Sequence, residues 1–339
     1  MNSSNVKISI IFPSYNGKDL IYNCLDSVSN LKNLNEIEVI IVDNNSKDGT
    51  KKIIESFKKI KIKLIPKSEN IGFARACNIA ASKANGEFIF ITNQDVSFPN
   101  NFFTILLNLY NNIKKNSEII ISTAIVFPGK YINYYGAKVH FLGFSYTKEM
   151  YQKLPKTKLT FKTLKASGCS MFLKKKVFME LNGFDPFFFM YHEDTDFSLR
   201  AIRKGISIYT TNETILHHQK IHMMLNNFTY YYIERNRYLT IYKNVKNFRF
   251  LISYFIFTEI MLIFQALLTK RLRIRFKMYR FFIKNLKQIK YLRFNEKNCR
   301  DKKFKKQYFN IHLDHIVLGR ILSQVKILKI FLKLINLIL

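Results

Sequence analysis

Three carboxylates stand within four positions of the sequence, directly after an aromatic run. Glu193, Asp194 and Asp196 follow Phe187–Tyr191, which reads Phe-Phe-Phe-Met-Tyr. Aromatic neighbours exclude water, and a partly desolvated carboxylate has a raised pKa that suits a general base. The same acids also suit the first turn of a helix, where carboxylates cap free N–H groups and oppose the helix dipole. The residues upstream favour the first interpretation.

Strands and helices alternate through the first hundred residues, upstream of these acids. Short apolar runs predict strands at Lys7–Phe12, Ile37–Val42, Lys61–Ile65 and Glu87–Thr92. Apolar residues at helical spacing predict helices at Asp19–Leu31, Lys51–Lys59 and Gly72–Ala84. This alternation is typical of βαβ units around a parallel sheet, in which ligands bind beyond the carboxyl ends of the strands.

Polar residues follow two of these predicted strands at that edge. Asp43 comes at the end of the second strand, and Asn93-Gln94-Asp95 follows the fourth. Each acid has a structural alternative, because Asp is common in Asx turns and at helix N-caps. Their shared position at one edge favours a binding site. The sequence has no G-x-G-x-x-G and no G-x-x-x-x-G-K-[ST], so neither a dinucleotide-binding fold nor a P-loop is supported.

The composition fits a basic globular protein. The 339 residues carry a net charge of +32, and 48% of them are hydrophobic, which excludes global disorder. Such a charge favours polyanionic partners, namely nucleic acid, anionic lipid or phosphorylated substrates. Four scattered cysteines without a C-x-x-C pair indicate a reducing compartment rather than a disulfide framework or a structural zinc site. The N-terminus lacks the pattern of a signal peptide.

Several motifs along the first 243 residues jointly carry a resemblance to a known family. They read SIIFPSYNG, VDNNSKDGT, ENIGFARACN, GEFIFITNQDV, ASGCSMFLKKKVFMELNGFDPFFFMYHEDTDFSLR and ILHH. Together they resemble a family 2 glycosyltransferase, in particular the rhamnosyltransferase-like branch that builds bacterial surface polysaccharides. The resemblance implies an α/β fold, namely a nucleotide-sugar-binding domain of the GT-A type with a mainly parallel central sheet. It also implies a divalent metal, Mn²⁺ or Mg²⁺, and inverting transfer.

The resemblance assigns roles to residues at the predicted sheet edge. The residues expected against a nucleoside-diphosphate sugar are Pro13, Tyr15, Asn16, Asp43, Asn45, Asn70, Gly72, Asn78, Asn93, Gln94, Asp95 and Gly168. Asp43 would accept a hydrogen bond from the imide N–H of a uracil or thymine ring. Asp194 would be the general base, and Glu193 would be its rival for that role or would bind an acceptor hydroxyl.

The metal ligands implied by the resemblance are Asp95, Asn93 and His217. Asn93 stands where the D-x-D motif of the family often has its first Asp, but an amide oxygen is still an acceptable ligand for Mg²⁺ or Mn²⁺. Neighbouring histidines on an extended segment point to opposite faces, so at most one of His217 and His218 reaches the site. A core or surface role is the alternative for either histidine.

The middle of the chain is less regular. The sequence predicts a helix at Phe102–Asn116, a strand at Glu118–Phe127, a strand at Ala166–Leu173 and a helix at Glu193–Lys204. The segment Gly129–Lys165 is rich in Tyr and Lys without clear periodicity, so we expect a partly ordered insert beside the acceptor site. Arg200 is either exposed or paired with the neighbouring acids.

The last part of the chain has a different character, which predicts domains at 1–243 and 244–339. Residues 243–339 contain 23 Lys and Arg but only 4 Asp and Glu. Phe250–Leu268 is apolar over a transmembrane length but contains Glu259, which favours interfacial or domain packing over spanning. Ile316–Leu339 predicts an amphipathic helix with a cationic stripe, suited either to an anionic membrane surface or to a coiled coil or core.

The sequence therefore predicts an enzyme, a metal-dependent, inverting transferase that uses dTDP-rhamnose or a UDP-sugar. Its acceptor would be a hydroxyl of a glycan or a lipid-linked sugar, reached from a peripheral position on the cytoplasmic face of the membrane. The family's processive synthases carry Q-x-x-R-W, and this chain has no Trp, so we expect non-processive transfer. A nucleic-acid-binding protein and a non-catalytic scaffold are the alternatives. No nucleic-acid-binding motif is visible, and the oligomeric state stays open.

Overall fold

The chain divides into two units. The computed structural model describes residues 6–114, 117–140, 142–147, 149–219, 226–244 and 252–296. The first unit contains residues 1–139 and 145–223, and the second contains residues 140–144 and 224–339. The observed division therefore falls before the predicted boundary at residue 243, because the helix that begins at Asn227 belongs to the second unit.

The first unit is built on a mixed sheet. The strands of the unit are β1 (Ile8–Ser14), β2 (Ile37–Asp43), β3 (Ile62–Pro66), β4 (Phe88–Thr92), β5 (Val96–Ser97), β6 (Ile119–Phe127), β7 (Tyr131–Tyr134), β8 (Lys138–Val139), β9 (Ser145–Tyr146), β10 (Thr160–Thr163), β11 (Ser170–Lys174) and β12 (Ser207–His218). All of them except β8 and β9 belong to the mixed sheet. The strand order is β10-β12-β6-β11-β4-β1-β2-β3, with β5 on β12 and β7 on β6. β4, β1, β2 and β3 are parallel, whereas β11 is antiparallel to both β4 and β6. The predicted α/β fold with a mainly parallel central sheet is confirmed.

Helices cover both faces of this sheet. They are α1 (Lys18–Ser29), α2 (Thr50–Ser56), α3 (Gly72–Ser82), α4 (Phe102–Ile113), α5 (Lys175–Glu180) and α6 (Glu193–Arg203). Because successive strand residues point to opposite faces, Ile10 and Phe12 join an apolar cluster with Leu25 of α1. Ile11 lies between them and joins the other cluster, with Ala76 of α3. The two clusters anchor the strands beneath the polar loops that follow them.

The register of the strands brings several of the predicted site residues to one edge. Ser14 pairs with Asp43 at the ends of β1 and β2, so the loops after both strands begin side by side. β11 runs the opposite way, and its first residue, Ser170, pairs with Thr92 at the end of β4. Gly168 therefore lies at the same edge as Asn93, although it precedes its strand rather than following it.

The segment Gly129–Lys165 is more regular than its sequence indicated. β7 extends the sheet beside β6, β10 extends it beside β12, and β8 and β9 form a separate two-stranded sheet. These strands are only two to four residues long, which is too short for a hydrophobic period to show. The predicted strand at Ala166–Leu173 begins only at Ser170, after a turn in which Ser170 N donates to Ser167 O over 2.9 Å.

The described part of the second unit is helical. It contains α7 (Asn227–Asn244), α8 (Ile252–Leu268), α9 (Leu272–Lys284) and α10 (Leu286–Glu296). α8 covers most of the apolar stretch predicted at Phe250–Leu268. Within the described residues, no helix is both long enough and apolar enough to cross a membrane. The amphipathic helix predicted at Ile316–Leu339 lies outside the described residues.

Candidate active site

The end of β1 is tied to the loop after β4 by Gln94. Gln94 Oε1 accepts from Ser14 Oγ (2.7 Å) and from Tyr15 N (3.1 Å), and Gln94 Nε2 donates to Tyr15 O (3.0 Å). A Cβ on Gly17 would displace the amide group of Gln94, so a side chain there would disturb these contacts. Gln94 therefore acts in the fold by fixing the backbone of Tyr15, a residue that is 47% exposed at this edge. Pro13, one residue before Ser14, is partly buried in β1.

Asp43 is held in the Asx turn that its sequence allowed. Ser46 donates to it twice, from its main-chain N over 3.1 Å and from its Oγ over 2.6 Å. Asn16 N donates to Ser46 Oγ over 3.0 Å, and Asn16 Oδ1 accepts from Lys47 N over 2.9 Å. Asp43 is buried, and this network joins the loops after β1 and β2 around its carboxylate. The carboxylate is thus held in place by the fold itself.

Three other residues that were predicted to contact the nucleotide sugar form hydrogen bonds within the fold. Asn45 Nδ2 donates to Ser68 O over 2.7 Å, and Asn70 Oδ1 accepts from Gly72 N over 2.9 Å, so both shape the loops at the sheet edge. Asn78 Nδ2 donates to Phe184 O (2.7 Å), and Asn78 Oδ1 accepts from Phe184 N (2.9 Å). These hydrogen bonds within the fold explain the presence of all three residues without a bound nucleotide sugar. A direct contact between them and the nucleotide sugar stays a prediction.

The histidine that faces Asp95 is His218 and not the predicted His217. His218 Nε2 lies 3.4 Å from Asp95 Oδ2. Adjacent residues of β12 point to opposite faces, so His217 lies on the other side of the strand, where burial and then Lys130 lower its pKa. The sequence indicated that only one histidine reaches the site but did not fix the register. That register follows from the pairing of His218 with Val96.

A strained turn leads into the acidic cluster. Phe189 has φ 64° and ψ −65°, and Met190 N donates to Phe188 O over 2.8 Å, which together form a γ-turn with positive φ. Tyr191 and His192 also have positive φ, which is a strained conformation for residues other than glycine. The turn is held from outside, because Ala74 N donates to Phe189 O over 3.1 Å. A Cβ on Gly72 would lie 2.5 Å from that same oxygen.

Both carboxylate oxygens of Asp194 have partners within the fold. Its Oδ2 lies 3.1 Å from Lys165 Nζ and accepts from Gly168 N over 3.1 Å, while its Oδ1 accepts from Thr195 Oγ1 over 3.2 Å. Lys165 therefore positions this carboxylate. Glu193 differs, because its Oε2 is buried and has no hydrogen-bond partner. Burial, and then the charge of Asp194, raise the pKa of Glu193 to about 8.

Asp196 forms an ion pair within the fold. Its Oδ2 accepts from Arg200 Nε over 2.9 Å, and Arg200 also donates to the carbonyl oxygens of Leu181 and Gly183. Arg200 is thus buried and paired, which is one of the two outcomes that the sequence left open. This clamp holds the loop that precedes the strained turn.

The side chains of Asp95 and His218 fit a divalent cation whose coordination is completed by oxygens of the substrate. Asp95 Oδ1 is buried without a hydrogen-bond partner, and its Oδ2 faces His218. An unpaired buried carboxylate oxygen is costly, and a cation would satisfy it. Among the described side chains, no three His, Cys, Asp or Glu residues form a complete metal cage. The fit therefore requires further ligands, which a diphosphate would supply.

Sequence reasoning missed three functional candidates at this site. Lys165 lies in a segment without periodicity, and His218 was passed over for its neighbour. Asn44 sits between two predicted site residues, and its buried Oδ1 has no hydrogen-bond partner. Its position in the loop after β2 was the signal available in the sequence.

The sheet and the loops at its edge form a GT-A-like fold. The same fold is found in a crystal structure of GalNAc-T7 with UDP, GalNAc and Mn²⁺, with a TM-score of 0.57 at 15% identity over 71% of this chain and 48% of that one. A family model described as glycosyl transferase family 2 matches residues 9–181, about half of the chain. The chain belongs to that family. A second model, described as the N-terminal domain of galactosyltransferase, matches residues 148–225.

Two curated relatives are similar to parts of this chain. The O-antigen biosynthesis protein RfbC of Myxococcus xanthus is 24% identical over 63% of this chain and 17% of its own length. The UDP-Glc:alpha-D-GlcNAc-diphosphoundecaprenol beta-1,3-glucosyltransferase WfgD of Escherichia coli is 35% identical over 37% of this chain and 50% of its own length. The chain therefore spans half or less of the length of these two relatives.

Proposed function

We propose that this protein transfers a sugar from a nucleoside-diphosphate donor, dTDP-rhamnose or a UDP-sugar, to a hydroxyl group of a glycan or lipid-linked acceptor. The transfer is inverting, non-processive and dependent on Mn²⁺ or Mg²⁺, and it serves the synthesis of surface polysaccharide. The names of the two relatives support this role, since one acts in O-antigen biosynthesis and the other on a diphosphoundecaprenol-linked sugar. Such an acceptor suits a peripheral enzyme on the cytoplasmic, anionic face of the membrane.

The observation that carries the proposal is the unsatisfied carboxylate oxygen of Asp95. It lies beside His218, in the loop after β4 and at the sheet edge where Asp43 ends β2. A nucleoside diphosphate offers groups that complement both acids, namely an imide N–H for Asp43 and a metal-bound diphosphate for Asp95. Asp95 and His218, with Asn93, would hold the metal, which stabilises the negative charge of the departing diphosphate.

The acids after the strained turn supply the other half of the chemistry. Asp194 is the base that accepts the proton of the acceptor hydroxyl, and Lys165 and Gly168 N fix its orientation. Direct displacement needs one base on the face opposite the leaving group, so the configuration inverts. Glu193, whose pKa is raised to about 8, is mostly protonated at neutral pH and can donate a hydrogen bond to an oxygen of the sugar acceptor.

A screen of dTDP- and UDP-sugars tests this function. Each donor is added with Mn²⁺, and thermal stabilisation and donor hydrolysis are measured. We expect one base class to stabilise the protein, and chelation with EDTA to remove the effect. Stabilisation by every nucleoside diphosphate without metal, or by none of them, would contradict the proposal.

A further inference from the structure

The described part of the second unit buries a cluster of paired charged side chains and exposes several aliphatic ones. Arg275 is 1% exposed and is the centre of its polar network. Its guanidinium donates to Glu234 Oε2 (3.1 Å), Tyr230 OH (3.1 Å) and Tyr238 OH (3.2 Å). It also donates to Glu259, the one acid of α8. Glu259 is therefore neutralised by a partner within the unit and leaves the rest of α8 apolar.

The outward side of α8 is a continuous apolar stripe. Its members are Ile256, Ile260, Ile263, Phe264 and Leu267, all between 38% and 60% exposed. They recur at the three- and four-residue steps that place side chains on one face of a helix. By contrast, Leu262, Gln265 and Ala266 of the same helix are buried. Exposed apolar surface of this extent marks an interaction site rather than ordinary surface.

The helix that follows α8 adds a row of cations. Arg273, Lys277, Arg280 and Lys284 are exposed on α9 at the same helical steps. Phe276 and Ile283 stand beside them and are 61% and 69% exposed. From residue 252 to residue 292 the sequence has nine Lys or Arg and only one acid, the internally paired Glu259. The exposed charge of the two helices is thus of one sign.

We propose that α8 and α9 form a membrane-docking surface, with the apolar stripe of α8 in the acyl boundary of an anionic bilayer and the cations of α9 on its headgroups. An amphipathic surface of this kind binds by apolar burial plus electrostatic attraction. A second copy of the chain is a poor occupant, because two such cationic surfaces would repel each other. The inference is independent of the proposed transfer reaction, because it uses no residue of the active site.

The lack of Trp in the chain provides a specific reporter. In the full chain carrying Phe264→Trp, we expect emission to shift to shorter wavelength on vesicles of equimolar phosphatidylglycerol and phosphatidylcholine, and brominated lipid to quench it. In Tyr22→Trp, a matched exposed position on α1, emission should not change. If neither vesicles nor brominated lipid changes the emission of Phe264→Trp, the stripe does not enter the bilayer and the proposal is overturned.

Affinity measurements separate the two parts of the surface. We expect Ile260→Glu with Phe264→Glu to weaken vesicle binding at least about tenfold. Each of Arg280→Gln and Lys284→Gln should weaken it roughly fivefold at low salt. Met179→Glu on α5 and Lys52→Gln on α2 are the matched controls, because both positions are exposed in the first unit. Equal losses in the controls, or a change of oligomeric state in the stripe variant without loss of vesicle binding, would contradict the proposal.

Discussion

Lys165 Nζ and Gly168 N meet the same carboxylate oxygen of Asp194, each at 3.1 Å. The cation and the N–H both belong to the segment that leads into β11, whereas Asp194 lies in the first turn of α6. The orientation of the acid is therefore set by a second element of the fold. A base that must meet a substrate hydroxyl at hydrogen-bond distance benefits from such pre-orientation.

Removing the proton acceptor should stop transfer but keep donor binding. In Asp194→Asn we expect turnover to fall by about 10²–10⁴-fold, because the amide keeps the shape but cannot take a proton. The dissociation constant of the donor, measured by calorimetry, should stay near that of the wild type. Glu55→Gln, an exposed acid on α2, is the control. Turnover within about threefold of the wild type would move the role of base to Glu193.

The two neighbouring histidines should behave differently. We expect His218→Ala to raise the Mn²⁺ concentration needed for donor binding by at least about tenfold, because its imidazole faces Asp95. His217→Ala is the matched control and should change it little. Asp95→Ala should abolish the metal effect, and Asn93→Asp should preserve or strengthen it. The opposite ranking of the histidines would place His217 at the metal.

The raised pKa of Glu193 predicts a pH dependence of stability. Its pKa is raised from 4.5 to about 8, mainly by burial, so the folded state holds a proton that the unfolded state releases. The wild type should therefore lose stability as the pH rises between these two pKa values, by up to about 1.4 kcal/mol for each pH unit. Glu193→Gln has no carboxyl proton to lose. The Tm of this variant minus the Tm of the wild type should therefore increase from acidic to alkaline buffer. Parallel Tm curves would contradict this.

Breaking the clamp at Asp196 should destabilise the first unit. Arg200→Met leaves a fully buried carboxylate without its cation, and we expect a loss of about 3–5 kcal/mol in the free energy of unfolding. Arg75→Met on the exposed side of α3 is the control. Adding Asp196→Leu to Arg200→Met should restore part of the loss, since no charge is then buried alone. A double variant no more stable than the single one would argue against an electrostatic cause.

The sequence predicts the regular part of this fold well and its local geometry less well. Buried runs such as Ile37–Val42 are long enough to identify a strand, and the structure extends that one by a single residue, to Asp43. Which face His218 takes depends on its pairing with Val96, a long-range contact that the local pattern does not contain. The role of Lys165 likewise depends on Asp194, which lies much later in the chain. The acids, in contrast, were identifiable because their aromatic neighbours reveal their burial.

The contact between Gly72 and Phe189 limits how this site can be recombined. Helix α3 begins at Gly72 with φ +83°, and the space for a side chain is taken by the carbonyl of Phe189 in the strained turn. The start of α3 and the turn before the acids are consequently packed against each other without spare room, although they lie far apart in the sequence. A chimaera that takes the acidic loop from a relative but keeps its own α3 would place a foreign turn against Gly72, where there is no room for a change in the backbone. Swapping both segments at once keeps this contact intact, and it is therefore the exchange that we expect the fold to accept.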